Sequence, residues 1–90
     1  VRRLEDIPNV GPATAGDLRQ LGITEPAQLV GADGYELYER LCAVTGHAHD
    51  PCCIDVFLAV VDYMAGAPRR PWWHYTPQRK AHLSSRGGAA

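Results

Sequence analysis

Apolar positions recur along most of this chain at helical spacing, and the breaks between them carry turn residues. A short apolar-bearing piece at Leu4–Ile7 runs into the tight turn Pro8-Asn9-Val10-Gly11. Asn9 and Gly11 are residue types that tolerate left-handed or otherwise unusual backbone angles. Pro12 stands where a helix would begin, its φ already suited to that place. Ala15, Leu18 and Leu21 then share one helical face and Thr14, Asp17 and Gln20 the other. Gly22 supplies a left-handed stop, with Ile23 placed to fold back onto Leu18.

The pattern continues with a short helix opened by Thr24-Glu25-Pro26 and ended by Gly31. Asp33 and Glu36 have the spacing of a capping box and open a helix through Val44. Leu37, Leu41 and Val44 point inward in this reading, with Glu36 and Arg40 paired outside. Asp50 and Pro51 begin the last strongly patterned helix, which runs to about Ala65. Cys53, Val56, Phe57, Val60, Val61 and Met64 line one of its faces. Ile54, Leu58 and Ala59 leave little polar surface elsewhere, so this helix is expected at the centre. Asp55 and Asp62 mark its one wet edge. The fold expected is all-α: a compact five-helix domain over residues 1–66, with a degenerate second hairpin around Gly46.

From Ala67 the composition changes to Pro68, Pro71 and Pro77 among Arg, Trp, His and Tyr. An irregular extension over residues 67–82, packed on the domain through Trp72 and Trp73, is expected, the alternative being an exposed stacking surface. Residues 83–90 read as a disordered end.

Ninety residues allow one core. No apolar run is long enough to span a bilayer, and the N-terminus lacks a signal-peptide core, so a cytoplasmic protein is expected. Charge is unevenly spread. Through Gly66 there are four basic residues and ten acidic ones; from Ala67 onward there are five basic residues and no acid. A basic tail is either a nucleic-acid arm or a partner for the acidic body.

The residues from Leu4 to Ile23, with the turn at Pro8–Gly11 and the closing Leu21-Gly22-Ile23, resemble the helix-hairpin-helix family. In that family, hairpin N–H groups beside a helix N-terminus hold a backbone phosphate of nucleic acid, as unpaired donors at a positive helix end favour an anion. The resemblance places such a site at Pro8, Asn9, Val10, Gly11, Ala13 and Arg19, with Arg2 and Arg3 nearby. Two departures stand out: Asn9 replaces the usual Gly, and Ala13 replaces a usual Lys or Arg. The wider layout, including Leu37–Cys42, Thr45-Gly46, Asp50-Pro51-Cys52 and Trp72-Trp73, resembles small bacterial proteins of the pathogenicity-locus or mitomycin-resistance type.

Cys42, His47, His49, Cys52 and Cys53 form a cluster whose spacing matches no established zinc site, and no metal or other cofactor is expected. Cys52, in a helix first turn near His49, is the one candidate nucleophile. No acid/base constellation accompanies it, so no enzymatic activity is expected. The expected function is noncatalytic, weak, sequence-independent DNA binding. The alternative is a protein-protein interaction module that keeps the fold without the DNA contact.

Overall fold

The computed structural model describes residues 2–87. These contain four α-helices: α1 (Pro12–Gln20), α2 (Gly34–Thr45), α3 (Cys52–Met64) and α4 (Thr76–Gly87). Three single-turn 3-10 helices, Leu4–Asp6, Pro26–Leu29 and Trp72–Tyr75, lie between or before them, and the described residues include no strand. The five-helix expectation is therefore corrected. Two of the expected short helices close only as 3-10 turns, and the tail expected to be irregular carries α4. Pro77 explains that difference. It falls in the first turn of α4, where a missing N–H is no loss, so it starts a helix instead of breaking one. Of residues 83–90, expected to be disordered, Leu83 to Gly87 continue α4, while residues 88–90 lie outside the described residues.

Local chemistry accounts for most helix ends. Asp33 accepts from the N–H groups of Tyr35 (2.9 Å) and Glu36 (3.4 Å), capping α2. The Asp50 carboxylate accepts from Cys52 N–H at 3.0 Å at the start of α3. Gly22, at φ 83°, ends α1 with Ile23 N–H donating to Leu18 O at 3.0 Å. The Pro26–Leu29 turn is braced differently from the Thr24 cap expected: Gln28 Oε1 reaches back to the N–H groups of Thr24 and Glu25.

α3 is the central element, packed by α2, α4 and the turns Pro26–Leu29 and Trp72–Tyr75. One face, with Phe57 and Val60, joins Leu4, Leu18, Leu37 and Leu41 in the larger core. The other, with Ile54, Leu58 and Ala59, is covered by Tyr75 in a second cluster. That second cover is why α3 is apolar nearly all round. Two edge assignments change. Val44 is 57% exposed instead of core-facing, and Arg40 donates to Leu21 O at 2.9 Å, tying α2 to the end of α1. The α2–α3 connection contains Gly46 at φ 77° but no Pro-Asn-Val-Gly turn, so the two hairpins differ in build.

α2 approaches α3 tightly at Gly34, the first residue of α2. A Cβ there would stand 2.9 Å from Leu58 Cδ2 and 3.0 Å from Leu58 N. Because backbone is involved, rotamer changes cannot relieve the contact. Gly34→Ala is expected to cost about 1–3 kcal/mol of unfolding free energy in urea titration, as overpacking does. An unchanged midpoint would mean that α2 and α3 separate freely.

Candidate functional site

The hairpin between Ile7 and α1 is closed by Val10 N–H donating to Ile7 O at 3.1 Å. Val10 is buried with Leu4, Ile7 and Ala15, which fixes the loop against the core. Asn9 holds the left-handed position, at φ 73°. Gly11 is not left-handed; its φ of −96° is open to any residue, contrary to the expectation for that glycine. A Cβ on Gly11 would meet no heavy atom within 4 Å.

Gly11 is also the N-cap of α1, and no side chain caps this helix. The first helical bond is Ala15 N–H to Gly11 O at 2.9 Å. The N–H groups of Gly11, Ala13 and Thr14 therefore precede the helical ladder, and Pro12 has none. Gly11, Pro12 and Ala13 are exposed, so this end of α1 faces solvent with its donors and positive dipole.

Asn9 does more than turn the chain. Its Nδ2 donates to Arg70 O at 2.7 Å, and its Oδ1 accepts from Trp72 N–H at 3.1 Å. Gly would satisfy the backbone angle at this position but not these two bonds. The residue that departs from the helix-hairpin-helix pattern is thus the one that fastens the C-terminal segment to the hairpin.

The basic residues divide into engaged and open groups. Arg19, one of the expected site residues, donates to both carboxylate oxygens of Glu5 at 3.0 and 3.1 Å. The Glu5 carboxyl is held below its ordinary range by its own backbone N–H and then by Arg19. Arg70 pairs with Asp62 at 3.2 Å, where Tyr75 also donates. Arg79 pairs with Asp55 at 3.0 Å. Asp55 is wholly buried, which corrects its placement on a wet edge. Arg2, Arg69 and Lys80 remain exposed, as does Arg3, which lies 3.7 Å from Glu5. Two cations of the tail are therefore engaged by acids of the body.

The Cys/His cluster is assembled differently from a metal site. His49 Nε2 lies 2.8 Å from Thr45 Oγ1, and the rings of His47 and His49 sit 4.5 Å apart. Tyr38 donates to His49 O. Among the described residues no group of three or more His, Cys, Asp or Glu is arranged to hold a metal ion. Cys52 bonds to Asp50, and that carboxylate together with burial pushes the thiol up to about 11. The helix-end pull toward thiolate is outweighed, so Cys52 is a protonated thiol at neutral pH.

The pathogenicity-locus family model, Cdd1, matches residues 1–81. The chain belongs to the pathogenicity-locus family. It is similar to the mitomycin resistance protein McrB of Streptomyces lavendulae, with 48% identity over 84 residues, covering 93% of this chain and 80% of that protein. No solved structure matches the chain. In this member of the family, as described here, no helix is long and apolar enough to cross a membrane. The sequence signal missed most was Asp55. An acid within an otherwise apolar helical stretch, followed by a basic helix downstream, was the one available clue to a buried pair.

Proposed function

We propose that this pathogenicity-locus protein is a noncatalytic, sequence-independent DNA-binding domain that holds a backbone phosphate at the hairpin and the first turn of α1. The observation that carries the reading is the exposed, uncapped start of α1, whose Gly11, Ala13 and Thr14 N–H groups lie outside the helical ladder. The resemblance of Leu4–Ile23 to the helix-hairpin-helix pattern supports it. Backbone donors hold phosphate but read no base, hence the lack of sequence preference. Pro8 and Val10 shape the loop, and Asn9 is committed to the C-terminal segment. With Arg19 engaged by Glu5, few cations flank the site. Affinity should be weak, with a shallow salt dependence of about −0.9 in log–log slope per phosphate held.

Substitutions at Ala13 test this without disturbing the fold, since the position is exposed in the first turn of α1. Ala13→Glu suits the helix dipole, so thermal stability should hold or rise while DNA affinity falls. Ala13→Lys should tighten binding and steepen the salt slope by about 0.9, the value of one added phosphate contact. Fluorescence anisotropy on a labelled duplex across a salt series reads both. Native protein that binds no DNA at low salt, or binding indifferent to both substitutions, would overturn the proposal. The protein-interaction alternative, favoured by the acidic body and the engaged arginines, would then stand in its place.

A further inference from the structure

The surface beside the hairpin includes an aromatic face that the fold leaves in water. Trp73 is 62% exposed, the one large aromatic among the exposed hydrophobic side chains of the described residues. The packing of the C-terminal segment does not depend on it, because Tyr75, 5% exposed, is what covers Ile54, Leu58 and Ala59. Nor is its backbone loose. Trp73 lies within the 3-10 turn Trp72–Tyr75, and Trp72 meets it edge-on with ring centroids 5.6 Å apart and planes at 85°. A T-shaped neighbour can cover no more than one of the two indole faces.

Asn9 ties the segment that carries Trp73 to the hairpin. Trp72 N–H is bound to Asn9 Oδ1, and Trp73 follows immediately in sequence. Gly11, the N-cap of α1, is two residues from Asn9 on the other side. At about 3.8 Å per Cα step, the Trp73 backbone and the phosphate donors are only a few steps apart through that clamp. The charge of the segment that carries the indole suits a polyanion. No acid occurs from Ala67 to Ala90, Arg69 is exposed, and the adjoining Asp62 is paired with Arg70.

We infer that Trp73 is a stacking platform for an unpaired base of the strand whose phosphate sits at the hairpin, making single-stranded or frayed DNA the favoured substrate over closed duplex. The inference rests on the phosphate reading of the hairpin. Every base has a π-face, so stacking on an aromatic side chain adds affinity without sequence preference. Bases within a closed duplex are already stacked on one another and offer no free face to the indole.

The test uses the full chain with labelled oligothymidylate about 15 nucleotides long, within the range of single-strand site sizes, and a blunt duplex of equal length. Native protein should bind the single strand more tightly. Trp73→Ala should weaken single-strand binding by about tenfold, the effect expected for one stacked base, and change duplex binding less than about twofold by the same argument. Trp73→Phe, which keeps a π-face, should restore most of the loss. Unaltered thermal melting of these variants is expected for so exposed a side chain. Equal binding of both DNAs, or single-strand binding unmoved by Trp73→Ala, overturns the inference. If Ala13→Glu weakens binding in that case, the phosphate reading survives alone. Loss through Trp73→Ala with no response to Ala13→Glu overturns both, because the platform would then serve a different site. Absence of binding to either DNA also overturns both.

Discussion

Arg79→Met is expected to lower the unfolding free energy by about 3–5 kcal/mol, the cost of leaving a buried carboxylate without its cation. Asp55 is fully buried in the first turn of α3, and its oxygens receive Arg79 Nε at 3.0 Å, Arg79 Nη2 at 3.3 Å and Thr76 Oγ1 at 2.7 Å. The Arg79 side chain is 15% exposed, so water reaches the pair and the lower end of the range applies. Hydrogen bonding to Asp55 raises the Arg79 pKa above its ordinary value, outweighing burial. The Arg79 cation is therefore present below the ordinary guanidinium range and is lost only as pH climbs through the folded-state value. Its contribution is present throughout neutral conditions. Asp55→Leu combined with Arg79→Met removes both charges and should recover most of the loss, since an apolar pair of similar volume replaces a buried ion pair at little cost. Urea denaturation of the two single variants and the double closes the cycle. A loss below about 1 kcal/mol for Arg79→Met would mean that α4 detaches from α3 without penalty.

Phe57→Ala should be of similar size, about 3–5 kcal/mol, for a different reason. Phe57 is 1% exposed and belongs to one buried cluster with Leu4 of the Leu4–Asp6 turn, Leu18 of α1, and Leu37 and Leu41 of α2. Removing the ring forfeits its transfer from water and leaves a cavity that four separate elements would have to close. In a small domain this is a large share of the total stability, which is commonly about 5–15 kcal/mol. Val44→Ala provides the contrast, because Val44 is 57% exposed and its truncation should change stability by less than about 0.5 kcal/mol. Equal effects at the two positions would contradict the packing described. Thermal unfolding followed by circular dichroism distinguishes them.

The elements legible in the chain are those whose causes lie within a few residues. α1, α2 and α3 were readable because Pro12, Asp33, Asp50, Gly22 and Gly46 act on backbone groups no more than a turn or so away. The burial of Leu18, Leu21, Leu41, Phe57 and Val60 followed from helical period in the same way. The uncapped start of α1 was visible for this reason too: Gly11-Pro12-Ala13 holds no side chain able to cap it.

What only the tertiary structure decided depends on partners far along the chain. Asn9 reads as a turn residue, yet its amide is committed to Arg70 and Trp72, 61 and 63 residues away. Asp55 and Asp62, seven residues apart, read as one wet edge of a helix. α4 and the turn before it come back over that edge, burying the first acid against Arg79 and engaging the second with Arg70 and Tyr75. Trp72 and Trp73 read alike, but Tyr75 takes the covered position and leaves Trp73 outside. Period and capping are local and so are written residue by residue. Which side chain receives a charge, or loses its water, depends on where the chain returns, and no spacing in the sequence encodes that directly.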